Sequence, residues 1–362
     1  MSDIRIACVG DIMCGDSFYA MGQGVAASLK RWGNVFLDNE IVSYLKGHDI
    51  TLCNIECVLS NIGANRYSLK KTQMRGRPEN AEVLHNWGFN VANVANNHIL
   101  EHGLDAATDT VRNLKAAGIK VVGAGENEDF GEGIKEVQLS LQGHNIAIFG
   151  ICLRDEKYAY CKDQWGRLLT KIQELTRQNV AVLVSIHWGD ELIDRPNLSI
   201  KDRARQLRDA GAVIVAGHHP HVVQGVEENQ GQIVAYSLGN FIFNGFLPDT
   251  CWSIILSLTL SGNRVKDWTY RIVEKDQDHR PHFCDKQRLL ELDSEMQRRI
   301  TLLKESQTSN DYEQEYRREL LGLKKEASKS LRKLLRKRFW SYAPVFWPQI
   351  LMRPIKRRLG IW

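Results

Sequence analysis

The chain has 362 residues, of which 43% are hydrophobic and 25% charged, values typical of a soluble globular protein with one large domain or two ordinary ones. No stretch approaches the roughly 18 uninterrupted apolar residues of a membrane span, which excludes a transmembrane helix. The formal net charge is +5, and the basic surplus lies in the C-terminal tail.

Strands and helices alternate along the first 220 residues, and hairpin-like strands follow them. The short apolar runs 4–10 and 180–186 are typical of strands that are buried on both faces. Further strands are predicted at 50–54, 89–94, 120–122, 137–141, 146–151, 213–216, 222–226, 233–236, 251–260 and 265–273, the last four antiparallel. Helices are predicted at 26–46, 79–87, 104–117, 164–177 and 200–209. This mixture predicts an α/β protein with two sheets, each covered by helices.

The C-terminal third differs from the rest of the chain. Residues 284–338 have leucines at helical spacing, which predicts long helices with a break near 306–311, and an aromatic, basic tail follows. From Ala327 onward there are 10 Lys/Arg and no Asp/Glu, which leaves 38 basic and 43 acidic residues in the rest. We predict three parts: a domain over 1–280, a helical extension over 281–338 and a basic aromatic tail over 339–362.

The tail is suited to an anionic membrane surface or to a membrane-bound partner. Packing on the domain is the second interpretation. Nucleic-acid binding ranks third and is not expected, because no recognition motif accompanies the charge.

Localisation is predicted from the N-terminus and the cysteines. Asp3 and Arg5 interrupt the first segment, so it has no signal-peptide pattern. Eight cysteines, among them Cys161, occur without a Cys-x-x-Cys pair, which favours reduced thiols. We therefore expect a cytoplasmic protein, peripheral at the inner membrane if the tail binds there.

Polar residues stand in four short runs at predicted strand ends, 10–13, 95–98, 187–191 and 217–221, where ligands and metals bind in sheet-based folds. Asp11 follows the first strand, either as a ligand or as a turn residue. Asn54 and Glu56 alternate onto one face after the second strand, either at a cleft or as a cap and a solvated side chain. The run Asn96-Asn97-His98 is costly to desolvate unless its members are hydrogen-bonded or coordinated. Glu101 and Asp105 are predicted to orient His98.

Histidines give the strongest signal for a metal site. His187 ends the most apolar strand, and His218, His219 and His221 lie within four residues of one another. An extended backbone before Pro220 would place His219 and His221 on one side. Imidazole and carboxylate groups are the ligands that borderline divalent cations prefer, so we predict metal ligation.

Other residues are predicted to surround this site. Gln224 and Asn240 are expected to form its walls. The basic loop 61–77 contains Arg75 and Arg77, which either attract an anionic substrate or belong to a solvated loop.

Taken together, these residues resemble the CapA-type capsule and poly-γ-glutamate synthesis family, a branch of the metallophosphatase-like (calcineurin-like) superfamily. The matching segments span about residues 4–245. They are Gly-Asp-Ile-Met (10–13), Asn-Ile-Glu (54–56), Ala-Asn-Asn-His (95–98), His-Trp-Gly-Asp-Glu (187–191), Gly-His-His-Pro-His-Val-Val-Gln (217–224) and Ser-Leu-Gly-Asn-Phe-Ile-Phe (237–243). The resemblance implies a four-layer α/β/β/α sandwich with one or two divalent cations, Mn, Zn or Fe.

The resemblance also implies roles for single residues. Asp11 and His221 are similar to ligands of a first metal, and Glu56 lies where the superfamily has a bridging carboxylate. The residues similar to ligands of a second metal are Asn97, His187 and His219. His98 is similar to the histidine that stabilises charge or protonates a leaving group. Residues expected around the metals or the substrate are Asp16, Asn54, Asn96, Glu191, His218, Gln224, Asn240, Arg75 and Arg77.

One departure from the superfamily pattern concerns the first metal. Met13 stands where a histidine is usual, which removes an imidazole, and Asp16 is close enough in sequence to compensate. Two functions follow from the resemblance. The first is a metal-dependent hydrolase that acts on a phosphoester or an amide in surface-polymer biosynthesis. The second is a non-catalytic subunit that helps a membrane-bound synthase handle an anionic chain.

Overall fold

The computed structural model describes residues 2–124, 136–154, 164–305 and 310–358. The described strands are β1 (Ile4–Ile12), β2 (Ile50–Ile55), β3 (Val58–Leu59), β4 (Arg75–Gly76), β5 (Val91–Asn93), β6 (Lys120–Val122), β7 (Glu136–Leu141), β8 (His144–Cys152), β9 (Ala181–His187), β10 (Ala212–His218), β11 (Val226–Asn229), β12 (Gln232–Ala235), β13 (Asn240–Ile242), β14 (Trp252–Ser261), β15 (Arg264–Lys275) and β16 (Pro281–Phe283). The described α-helices are α1 (Val25–Trp32), α2 (Asn39–Lys46), α3 (Leu69–Thr72), α4 (Asn80–Asn86), α5 (Leu104–Ala116), α6 (Trp165–Arg177), α7 (Leu198–Ala210), α8 (Lys286–Glu305), α9 (Asn310–Arg338) and α10 (Trp347–Arg358).

Two mixed sheets form the body of the protein. The first has the order β16-β15-β14-β1-β2-β5-β6, with β13 paired to the end of β1, and the second has the order β11-β12-β10-β9-β8-β7. Parallel pairs form the centre of both sheets, from β1 to β6 in the first and from β8 to β12 in the second. The carboxyl ends of these parallel strands therefore lie together at one edge of each sheet.

Alternation along β1 shows why the sheets stack. Ile4, Ile6 and Cys8 pack between the two sheets, whereas Ala7 and Val9 face the helices on the outside. Helices α1, α2, α4 and α5 cover the first sheet, and α6 and α7 cover the second. This arrangement confirms the predicted four-layer α/β/β/α sandwich, in which central strands such as β2, β9 and β10 bury both of their faces.

Several predicted boundaries are corrected by the structure. The strand predicted at 222–226 is displaced, because only its last residue begins β11, and before it Val223 makes a single antiparallel bridge with Leu238. Strand β12 pairs with β11 in the antiparallel sense, as expected, but also with β10 in the parallel sense. The first sheet continues to β16, so the helical extension begins after Phe283 rather than at residue 281. The segment 26–46 is two helices joined by a 3-10 turn over Gly33–Val35.

The C-terminal helices pack on the body of the protein. Leu292 and Met296 of α8 enter the core between the sheets. In the tail, Tyr342, Phe346 and Ile350 form a buried cluster with residues of the domain. Packing of the tail on the domain, the second of the sequence interpretations, is therefore observed, and membrane binding stays a prediction.

Two further observations bear on the sequence expectations. The seven cysteines of the described ranges are all free thiols, and Cys161 lies outside the described residues. Among the helices that the structure describes, none is both long and apolar enough to cross a membrane.

Candidate metal centre

Strand ends from both sheets bring the predicted site residues together. In the first sheet, Asp11 at the end of β1 is in register with Asn54 of β2 and with Asn240 of β13. In the second sheet, His218 of β10 is in register with His187 of β9. Because the two sheets face each other, carboxylate and amide groups of one meet imidazoles of the other.

Close approaches of the backbone shape the floor of this site. A Cβ at Gly10 would lie 1.9 Å from the carbonyl oxygen of Gly239, and one at Gly217 would lie 2.1 Å from that of Tyr236. Since a Cβ is excluded at both positions, glycine lets the loop over 237–240 pass directly against the ends of β1 and β10.

Glu56 lies at the centre of the site and is fully buried. Its Oε1 atom is 3.5 Å from His98 Nε2, 3.6 Å from His187 Nε2 and 3.8 Å from His221 Nε2. Neither carboxylate oxygen accepts a hydrogen bond from any described residue. Burial raises the pKa of Glu56 well above its ordinary value, because the charged form is desolvated without a partner. A cation between this carboxylate and the imidazoles would remove that penalty.

Asp11 is also fully buried, but it has partners. Asn54 Nδ2 donates to Oδ1 at 2.8 Å, His218 Nδ1 lies 3.2 Å from the same oxygen, and His221 Nδ1 lies 3.5 Å from Oδ2. Burial alone would raise the pKa of Asp11, yet His218 and His221 outweigh it and hold the pKa well below its usual range. The group is therefore a carboxylate at neutral pH.

Asn97, His187 and His219 form a second group next to Glu56. His187 Nε2 is 2.7 Å from Asn97 Oδ1 and 3.1 Å from His219 Nδ1. Desolvation pushes the pKa of both imidazoles well below the ordinary value. They are consequently neutral, which is the form that binds metals, and His219 Nε2 has no partner among the described residues.

Among the residues that the structure describes, three sets of side chains have ligand atoms within 4.8 Å of one another. They are Asp11, Glu56 and His221; Glu56, His187 and His219; and Glu191, His219 and His221. The first two sets share Glu56, which is the arrangement expected of a carboxylate that bridges two cations. The unpartnered oxygens of Glu56 and the mixture of carboxylate and imidazole donors fit divalent Mn, Zn or Fe.

The backbone conformation of the histidine loop, residues 218–221, differs from the predicted one. His219 and His221 have φ values of +97° and +61°, so the backbone around Pro220 is not extended. This left-handed backbone is sparsely populated by residues other than glycine, and such strain persists where the surrounding structure enforces it. Both imidazoles nevertheless lie next to Glu56, as predicted. The extended backbone from which we predicted this position is wrong.

His98 lies at the border between the metal centre and solvent, with its side chain 21% exposed. Glu101 Oε1 is 2.9 Å from Nδ1, as predicted, whereas Asp105 is exposed in the first turn of α5. Burial would raise the pKa of Glu101, but His98 outweighs it and lowers that pKa. The carboxylate therefore holds Nδ1, and Nε2 is directed toward Glu56.

The predicted surrounding residues have several positions. Asn96 Oδ1 accepts from the backbone of His98 at 3.1 Å and so shapes the turn. Asn240 Oδ1 lies 2.9 Å from His221 Nδ1. Gln224 is buried and donates to the carbonyl of Ile193 at 2.8 Å.

Asp16, Arg75 and Arg77 lie elsewhere than predicted. Asp16 accepts from the backbone of Gly22 and Ala26 at the start of α1, so its carboxylate is occupied. Arg75 donates to main-chain carbonyls of its own loop, and Arg77 is exposed. Neither arginine lines the cleft above the metal centre.

Met13 does not reach into the site. It is fully buried, packs in the outer core of the first sheet and accepts a hydrogen bond from the Gly15 amide at its sulfur. The sulfur therefore does not take the place of the missing imidazole.

Two lysines that the sequence did not single out lie close to the site. Lys275 donates to the carbonyls of Asn240 and Thr250 at 2.8 and 2.7 Å, and burial lowers its pKa to about 7. Lys324 of α9 lines the cleft. In the sequence, Lys275 is weakly distinguished as a charged residue at the end of a strand-like pattern. Lys324 is not distinguished, because many other basic residues surround it.

The bacterial capsule synthesis protein PGA_cap family model matches residues 5–245. The chain belongs to this family. The capsule biosynthesis protein CapA of Bacillus anthracis is 31% identical over 255 residues, which are 67% of this chain and 60% of the relative. The PGA biosynthesis protein CapA of Bacillus subtilis (strain 168) is 29% identical over 245 residues, 65% of this chain and 62% of the relative.

A more distant relative of the PGA_cap chain is named as an accessory protein. The probable polyglutamine synthesis accessory protein of Mycobacterium tuberculosis (strain CDC 1551 / Oshkosh) is 28% identical over 217 residues, 54% of this chain and 55% of the relative. The chain thus spans about three fifths of the length of the curated relatives it matches. The family match includes every member of the metal centre, and helices α8 and α9 lie beyond it.

Proposed function

We propose that this PGA_cap protein is a metal-dependent hydrolase that cleaves a phosphoester or an amide in capsule, poly-γ-glutamate or other surface-polymer biosynthesis. The observation that carries the proposal is Glu56, a buried carboxylate without a hydrogen-bond partner that faces three imidazoles. Asp11, Glu56 and His221 would hold one cation. A second would be held by Glu56, Asn97, His187 and His219.

Divalent cations at such a site neutralise charge on a phosphoryl or acyl oxygen and acidify water. The chain supplies the proton transfer. Glu101 holds Nδ1 of His98, and Nε2, which lies 3.5 Å from Glu56 and 3.3 Å from Asn97 Nδ2, would donate a proton to the leaving group from its half-open position. Asn240 fixes the orientation of His221, which keeps that imidazole aligned with both buried carboxylates.

The test is an activity screen of the metal-loaded protein with bis-p-nitrophenyl phosphate and γ-glutamyl-p-nitroanilide. We expect turnover of one of them and a loss of about 10²–10⁴-fold in His98→Ala, the usual contribution of a general acid, with unchanged metal content. His85→Ala is the matched control, since His85 is an exposed histidine of α4. A His98→Ala enzyme as active as the wild type would contradict the assignment.

Met13 favours a second candidate function, a non-catalytic subunit of a membrane-bound polymer synthase. Because its sulfur packs in the core, the first cation would have one imidazole, His221, rather than two. A protein that binds one equivalent of metal, hydrolyses neither substrate and still binds poly-γ-glutamate would support this function over the hydrolase.

For the tail, we propose peripheral binding to an anionic membrane surface, on the cytoplasmic side. Trp340 is 77% exposed and Leu351 63% exposed, next to the lysines and arginines of the end of α9, and aromatic and basic residues together favour the membrane interface. We expect salt-sensitive binding to phosphatidylglycerol vesicles that Trp340→Ser/Leu351→Ser abolishes. Leu290→Ser is the control, because Leu290 is 61% exposed on α8. Equal binding by all three proteins would refute the proposal.

A further inference from the structure

Helix α9 forms one wall of the cleft above the candidate metal centre. The cleft has a volume of about 460 Å³, and His98, His221 and Asn240 lie at its floor. The residues of α9 that line it are Lys324, Ala327, Ser328 and Leu331. Since the family match ends at residue 245, this wall is an addition to the shared part of the fold.

Buried contacts fix the position of α9. The Tyr316 hydroxyl donates to Asp190 Oδ2 at 3.0 Å, and the Tyr316 side chain is only 2% exposed. Arg195 Nη1 pairs with Glu319 at 2.6 Å, and Ala327 is buried against the domain two turns further along. These contacts follow one another at helical spacing, so one stripe of the helix faces the domain from Tyr316 to Ala327, and the turns that follow Lys324 line the cleft.

Lys324 is the cation of this cleft. No other lysine or arginine is found among the described residues that line it, whereas Glu101 and Glu191 contribute acidic groups. Lys324 is exposed, and it forms no ion pair with any part of the chain that the structure describes. When cations balance the carboxylates at the floor, this ammonium group remains an uncompensated charge on the wall.

We infer that Lys324 binds an anionic group of the substrate that is separate from the scissile bond, and that α9 thereby determines specificity. The inference rests on the proposed function, since it assumes that cleavage occurs at the floor of the cleft. Phe18, Leu331 and Ala327 contribute apolar surface to the same cleft. The site therefore selects an ester or amide whose chain ends in a carboxylate or a phosphate.

The experiment compares p-nitrophenyl phosphodiesters whose second ester chain ends in a carboxylate, a phosphate or a methyl group. Lys324→Gln raises KM about 10-fold for the anionic substrates, equivalent to about 1.4 kcal/mol, and leaves the methyl substrate unchanged. The matched control is Lys325→Gln, which removes the neighbouring charge of α9 outside the cleft. The larger of the two anionic effects shows whether the carboxylate or the phosphate is the natural group. Equal changes for all three substrates, or no change, overturn the inference.

A binding measurement separates this inference from the hydrolase proposal. Acetylation of lysines by an N-hydroxysuccinimide ester is followed by mass spectrometry in the full chain, with and without tri-γ-glutamate or inorganic phosphate. We expect one of these ligands to slow acetylation of Lys324 about 5-fold without affecting Lys325. If the wild type hydrolyses neither the three esters nor γ-glutamyl-p-nitroanilide, the hydrolase proposal fails, and this protection alone supports the subsite. Equal acetylation of both lysines with either ligand present overturns it.

Discussion

Replacement of Glu56 by glutamine tests the metal centre through stability rather than activity. Without metal, the folded protein buries a carboxyl group with no hydrogen-bond partner. Burial raises the pKa of Glu56 in the folded protein above its value in the unfolded chain. The contribution of this group to the free energy of unfolding is therefore fully present below the unfolded pKa and is lost as the pH rises toward the folded pKa. Glutamine carries no charge and can donate to a neutral imidazole. We therefore expect Glu56→Gln to stabilise the metal-free protein at pH 7.5 by roughly 1–3 kcal/mol, the usual penalty of an unsatisfied buried group.

Added metal favours the wild type over the variant. A cation at 100 times its Kd stabilises the wild type by about 2.7 kcal/mol. If the loss of the shared carboxylate weakens binding 100-fold, the same concentration equals Kd and stabilises Glu56→Gln by only about 0.4 kcal/mol. The variant is thus the more stable protein in chelator and gains almost nothing from metal.

Urea unfolding of chelator-treated protein, with and without added Mn²⁺ or Zn²⁺, measures both effects. Asp16→Asn is the control, since Asp16 is a buried carboxylate that caps α1 outside the metal centre. It should change stability by less than about 1 kcal/mol in both conditions, because asparagine caps a helix about as well as aspartate does, and it should keep the gain from metal. The reasoning is refuted if Glu56→Gln is less stable than the wild type in chelator and gains as much from metal.

Two further predictions concern buried residues near the site. Because burial lowers the pKa of Lys275 from 10.5 to about 7, the unfolded chain binds more protons between these values and stability rises with pH. Relative to Lys275→Met, the wild type should therefore gain about 2 kcal/mol in urea unfolding between pH 7 and pH 9; a constant difference contradicts this. Met13→Leu conserves volume and should cost less than about 1.5 kcal/mol with an unchanged metal content by mass spectrometry. A loss of one equivalent would show that the sulfur takes part in binding.

The sequence predicted the fold because its strands are buried on both faces. An apolar run such as that of β9, which ends at His187, has few structural alternatives when helices flank it. The boundary errors occur where local patterns are ambiguous. The run 222–226 is apolar enough for a strand, but before Val226 only Val223 is paired, in an isolated antiparallel bridge with Leu238.

The site residues were predictable because strand ends in parallel sheets converge. Their detailed roles were not, because a charge pattern does not show what a side chain contacts. Arg75 belongs to a basic loop, yet its guanidinium group donates to main-chain carbonyls. Similarly, helical periodicity predicts α9 but not the surface on which it packs, so the position of Lys324 in the cleft depends on long-range contacts such as that of Tyr316 with Asp190.

The central claim is that side chains from both sheets hold divalent cations around Glu56. An anomalous difference map from crystals grown with Zn²⁺ tests it most directly. We expect density within about 2.0–2.2 Å of a Glu56 oxygen, with His221 on one side and His187 and His219 on the other. A map with no peak at Glu56, from crystals that bind the metal at other residues, would contradict the claim.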